Sequence, residues 1–267
     1  MKKKRIIIIA ALLLAAALLF WFFYPLRSYA VMGVYSAQHA KDSLMKRQGF
    51  SVDIPAGSGW YPFMLVYNAD GFGEWSGTGA EMTILYTFGA FDSSTRTSRF
   101  YDTDSDQYCA FYGAYVLRGE SGAFGLTAGG EVDMEAVESA FEYDYTVLVL
   151  EGFGCPSPVF RVDSAEIAYG VEYAGTGGWA RVDAALTVSG VAHTRTQSWT
   201  AYLQYGPPTQ RVSEDFAVTQ LAGRLYIRYF AEYDCTVMLY ALAPGEATVD
   251  ACDAEQLSKT VISPLGH

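Results

Sequence analysis

Ile6 through Tyr24 form a run of 19 residues without a charged or amide side chain, and no other stretch constrains the chain as tightly. As a helix rising 1.5 Å per residue the run spans about 28 Å, close to the ~30 Å thickness of a bilayer's hydrocarbon core. Hydrocarbon leaves peptide groups no partner outside the chain, so such a segment must be helical. Trp21, Phe22, Phe23 and Tyr24 close it with rings suited to the headgroup region, and Pro25 is placed to stop it. Lys2, Lys3, Lys4 and Arg5 precede the run, whereas only Arg27 follows it closely. That asymmetry predicts a cytoplasmic basic segment (1–5), a single-pass signal anchor (6–25) and an extracytoplasmic remainder. The competing reading is a signal peptide cleaved after Ala30, with Ser28 at −3 and Ala30 at −1, which would secrete the domain. A signal peptide's apolar stretch is usually about 7–15 residues, shorter than this one. Both readings export the same domain.

Beyond the first five residues, 14 Lys and Arg face 29 Asp and Glu, a net charge of −15. A surface of that sign repels phosphate backbones, so nucleic acid is excluded as an expected partner. The whole chain has 51% hydrophobic residues, 20 Tyr and 16 Phe; much of that apolar share lies in the 6–24 run, and the exported part still has the material for a folded core.

Residues 26–48 are expected to link membrane and domain, with a helix over 31–48 that Gly49 stops. Its apolar stripe is weak, which predicts loose packing. From Phe50 the apolar period becomes two. Phe50–Ile54, Phe63–Tyr67, Met82–Phe88 and Tyr112–Leu117 read as strands, separated by turn formers such as Asn68-Ala69-Asp70-Gly71 and Asp92-Ser93-Ser94-Thr95. Ala165–Tyr173, Ala180–Val188 and His193–Tyr205 read as an antiparallel meander with one buried and one wetter face, followed by strands at 225–229 and 236–242. Asp253 is placed to cap a closing helix over 253–263. Strands at short spacing predict a mainly β fold, an antiparallel β-sandwich-like ectodomain over 49–267, with α+β as the alternative. Residues 131–158 are ambiguous. Gly152 to Pro158 either divides two lobes or forms a crossover within one domain.

No motif assigns chemistry. Asp102-Thr103-Asp104-Ser105-Asp106 alternates oxygens as a calcium loop does, but Gln107 and Gly113 stand where Gly and Glu are needed, so it reads as a solvated turn. Gly119-Glu120-Ser121-Gly122-Ala123 resembles a nucleophile elbow without the required strand–turn–helix setting. Of the three histidines only His193 is placed to act as an ectodomain base, with Asp183 or Glu172 to orient it, although a structural role is the simpler expectation. The glycines at 71, 73, 77, 175, 177 and 178 read as hairpin turns, and Trp60, Tyr61, Trp75, Trp179 and Trp199 read as core or as a stacking surface. Cys109, Cys155, Cys235 and Cys252 show no C-x-x-C spacing. In an oxidising compartment Cys235 and Cys252, flanking the turn at Ala243–Glu246, form the expected disulfide if a hairpin closes there, and four buried thiols are the alternative. The sequence therefore predicts no catalytic residue, cofactor or metal. It predicts a membrane-held exported domain, non-enzymatic, that binds an envelope protein or ligand or serves in a membrane assembly. An exported hydrolase with a site assembled from distant residues is the runner-up.

Overall fold

The computed structural model of the chain describes residues 2–56, 64–87, 99–100, 102–120, 122–205 and 215–266. Trp60, Tyr61, the turn at 92–95 and Ser121 lie outside those residues.

The apolar run is helix α1 (Lys2–Phe22). Lys3–Phe22 is long and apolar enough to cross a membrane or to be a signal sequence, and among the described residues none of its most apolar stretch is buried. Phe23 leaves helical geometry (φ −99°, ψ 94°), and Pro25 then occupies the first turn of α2 (Tyr24–Lys41). Proline's missing N–H is no loss at that position, so Pro25 starts a helix as much as it ends one. Ser43 caps the short helix α3 (Leu44–Gln48), its hydroxyl accepting from Lys46 N at 3.2 Å, and Gly49 ends α3 at φ 75°.

Seven antiparallel strands form one sheet: β2 (Leu65–Asn68), β3 (Glu81–Tyr86), β4 (Phe111–Arg118), β5 (Phe160–Tyr173), β6 (Thr176–Ser189), β7 (Val218–Phe230) and β8 (Cys235–Ala243). Their spatial order is β2-β3-β4-β8-β7-β6-β5. A second sheet pairs β1 (Phe50–Asp53) with β9 (Val261–Pro264), antiparallel, with Val52 opposite Ile262. Strands from both sides of residues 152–158 pair in the large sheet, since β4 lies beside β8.

Both faces of that sheet are buried at its centre. Along β8, Met238, Tyr240 and Leu242 join one core while Cys235, Val237, Leu239, Ala241 and Ala243 join the other. The first core is closed by α4 (Phe72–Trp75), α5 (Met134–Glu142), a π-helical segment (Tyr143–Leu150), α6 (Glu151–Phe153) and α7 (Trp199–Tyr205). The second is closed by α3, β1 and α8 (Glu246–Glu255). The chain is thus rich in antiparallel sheet as expected: β6 buries Val182, Leu186 and Val188 and leaves Arg181, Asp183 and Thr187 on a wetter face, while at the sheet's centre both faces are covered, much of that cover being helical.

Two local expectations need correction, and one ambiguity is resolved. Residues 193–205 are a loop followed by α7, and the strand that returns beside β6 is β7, which pairs Ala180 with Ile227 and Ser189 with Val218. The closing helix is α8, which starts seven residues earlier than expected; Asp253 lies inside it, and Val261–Pro264 is a strand. The β-branched pair Val261-Ile262 fits the strand better than a helix. Residues 134–153 are helical throughout, with Asp133 capping α5 through Ala136 N at 3.2 Å.

The link from α1 is packed tightly, contrary to the weak stripe of α2. Ser28 donates to Leu203 O at 2.5 Å, and the Arg27 guanidinium lies 4.9 Å from the ring centre of Trp199 and 5.6 Å from that of Tyr202. Met32 is buried with Leu65 and Leu203. Along the outer edge of β2, Val66 N donates to Ser36 Oγ at 2.9 Å and Asn68 N to His39 Nδ1 at 3.1 Å. An uncovered strand edge leaves donors and acceptors unpaired, and α2 meets part of this one with side chains instead of another strand. The bond to Nδ1 puts the neutral ring's proton on Nε2. Burial lowers the pKa of His39, which favours that neutral form, although Asp70 nearby opposes the shift.

Candidate functional site

His193, the base named from sequence, lies half-buried in the loop after β6. Asp183 is occupied elsewhere: its carboxylate takes Arg181 Nε at 2.8 Å and Arg224 Nε at 2.7 Å. Six residues of extended strand, about 20 Å, separate Asp183 from Ser189, four residues before His193. The triad is therefore not assembled from this pair. Gly119 and Gly122 bridge each other in a tight turn, with no strand-to-helix elbow around them. In the acidic loop, Asp104 N donates to Asp102 Oδ1 at 3.3 Å, an arrangement that stabilises the turn itself. Among the described residues no group of three His, Cys, Asp or Glu side chains is set to hold a metal ion. All four cysteines are free and buried; Cys235 on β8 and Cys252 on α8 share the second core, and Ala243–Glu246 leads into a helix, not a hairpin.

Arg224 is the hub of one polar cluster. Besides Asp183 it reaches Asp250 Oδ1 at 2.7 Å and Asp253 Oδ2 at 3.1 Å. Tyr226 donates to Asp253 Oδ2 at 2.8 Å and Tyr173 donates to Oδ1, with the two tyrosine rings stacked. The groups satisfy one another and fasten α8 to the sheet, which is a structural use.

A different arrangement surrounds Asp144. It sits in the first turn of the π-helical segment, beside a cavity of about 240 Å³. Ile84 and Tyr86 of β3, Phe111 of β4 and Tyr240 of β8 form the sheet side of the cavity. Leu148 and Val149 come from the π-helical segment, Thr200, Ala201, Gln204 and Tyr205 from α7, Tyr35 from α2 and Tyr67 from β2. Gly113 helps to keep this face open. It pairs with Tyr240, and a Cβ there would stand 2.0 Å from Leu85 O and 3.3 Å from the Tyr240 hydroxyl. Single π turns within helices often occur at functional sites, because the wider turn re-aims side chains.

Asp144 Oδ2 accepts from the Tyr115 hydroxyl at 2.8 Å, and the Tyr240 ring lies 4.5 Å from that of Tyr115. Burial pushes the Asp144 pKa up to about 6, and the nearby hydroxyls of Tyr115 and Tyr240, which favour the charged form, restrain the rise. Burial also holds the hydroxyls of Tyr86, Tyr205 and Tyr240 well above the usual phenol range and that of Tyr35 at about 12. At neutral pH the cavity therefore presents neutral phenols around one largely ionised carboxylate. Among the described residues no lysine, arginine or histidine lines it, and Asp144 is its one acid. Such a site can bind and orient a ligand.

Sequence reasoning missed Asp144 among 29 acids. A signal was present: Asp144 is flanked by Tyr143 and Tyr145 and followed, after Thr146, by Val147-Leu148-Val149-Leu150, and a charge bordering such an apolar run must find partners if it is buried. The tyrosines that meet it come from separate elements and carry no common motif.

No protein-family model, no curated protein and no solved structure matches the chain.

Proposed function

We propose that this protein is a single-pass membrane protein, anchored by residues 6–25 with its N-terminus cytoplasmic, whose extracytoplasmic domain binds a small ligand in the tyrosine-lined cavity. The observation that carries the binding half is the cavity itself: a concave, largely aromatic site into which one carboxylate and one amide project, the usual build of a ligand pocket. Retention of the anchor is supported by the packing of α2. Cleavage after Ala30 would cut that helix and remove Arg27 and Ser28, which are buried against α7 and hydrogen-bonded.

Native mass spectrometry of the full chain released from membranes in a neutral maltoside detergent tests both halves. The expected polypeptide mass includes residues 6–24, and the expected spectrum carries a small-molecule adduct. A chain beginning at Val31 would overturn the anchor, and a bare chain after exposure to envelope extract would overturn ligand binding.

A further inference from the structure

The geometry points to a small organic cation, a substituted ammonium group, as the ligand class, with its charge held between the Asp144 carboxylate and the rings of the surrounding tyrosines. This rests on the cavity being a ligand site, as proposed above. Three features converge on it.

The first is charge. Asp144 is the one ionisable acid among the described lining residues, and no cationic side chain there offsets it. An anionic ligand would meet that carboxylate without a counter-charge. A carboxylate offers about four acceptor positions, and the Tyr115 hydroxyl takes one of them on Oδ2. Acceptor capacity is left for a donor that enters the cavity.

The second is the ring set. Tyr35, Tyr67, Tyr86, Phe111, Tyr205 and Tyr240 surround the space. An aromatic face is the negative end of a quadrupole, and cages of such rings are how proteins commonly bind quaternary ammonium groups. Because these tyrosines stay protonated, the attraction comes from neutral rings and one fixed charge, not from phenolates.

The third is size and field. A cavity of about 240 Å³ suits a small molecule and not a polymer. A net charge of −15 beyond the basic N-terminus draws cations toward the domain before any contact is made.

The test is a calorimetric titration of the full chain in neutral maltoside detergent with three probes: choline, its neutral isostere 3,3-dimethylbutan-1-ol, and butyrate. Choline is expected to bind about ten-fold or more tightly than the isostere, and butyrate not to bind. Asp144→Asn, close to isosteric, is expected to remove most of the choline preference. Tyr35→Leu takes away a ring from α2 and leaves the carboxylate, and is expected to weaken choline while sparing the isostere. Circular dichroism identifies any variant that has not folded. Equal binding of choline and the isostere would overturn the cation assignment and leave the pocket standing as a ligand site. Binding of none of the three would overturn the cation assignment, and with a bare chain in the native spectrum it would overturn the pocket as well.

Discussion

Between about pH 4 and pH 6 the full chain is expected to lose stability relative to its Asp144→Asn variant, by about 3 kcal/mol in all. In the unfolded chain the Asp144 carboxyl ionises near its ordinary value of 3.8, whereas in the fold burial delays ionisation to about pH 6. Below pH 4 both states hold the proton and the carboxyl contributes no difference. As pH rises, the unfolded state releases its proton first, and ionisation then favours unfolding until the folded group also ionises. The stabilisation is therefore complete below the unfolded pKa and gone once pH has passed the folded one. Asparagine cannot titrate, so its chain lacks this component, while other raised groups such as Glu138 are common to both chains and cancel in the difference. Urea midpoints of the two chains in neutral detergent at pH 4, 5, 6 and 7 check the expectation. A gap that stays constant across that range would show that Asp144 is not held in a buried site.

Trp179→Ala is expected to cost about 3–5 kcal/mol, and Trp199→Ala less than about 1 kcal/mol. Trp179 is fully buried in β6 between Tyr173 and Phe230, with its Nε1 donating to Thr176 Oγ1 at 3.0 Å. Its removal leaves a cavity beneath the β5–β6 hairpin that the surrounding rings cannot fill. Trp199 is 54% exposed at the start of α7, and what it gives up is the contact with Arg27 and its stacking on the Tyr202 ring. Urea midpoints of the two variants, measured side by side, check the contrast. Comparable losses would place Trp199 in the core or Trp179 outside it.

Those two tryptophans look alike in sequence, and they show where its legibility ends. Period two located most strands, including β5 and β6, because β-branched and aromatic residues on a pleated surface are recognisable from local pattern. β8 was found as an apolar run, yet Cys235–Ala243 is buried on both faces, and a run of that kind carries no information about which core each side chain enters. α7 passed for a strand for a related reason. Ala201 and Tyr205 join the large core and Leu203 joins the small one with Met32 and Leu65, so a helix held from two sides buries alternate residues. The cover on the edge of β2 was not legible either, since Ser36 and His39 act through β2 residues about 30 positions away. The same holds for the site: Tyr35, Tyr67, Tyr86, Tyr205 and Tyr240 meet Asp144 only through the sheet order and the docking of α2 and α7.

That the tyrosine-lined cavity is where this protein binds a ligand is the central claim, and blocking the cavity tests it most directly. Thr200 is an exposed α7 residue that lines the cavity, so Thr200→Trp narrows the entrance without entering the core. Native and Thr200→Trp chains, exposed to the same envelope extract and desalted, are compared by native mass spectrometry. A small-molecule adduct is expected on the native chain and is expected to be lost from the variant. The same adduct on both chains at equal occupancy would contradict the claim.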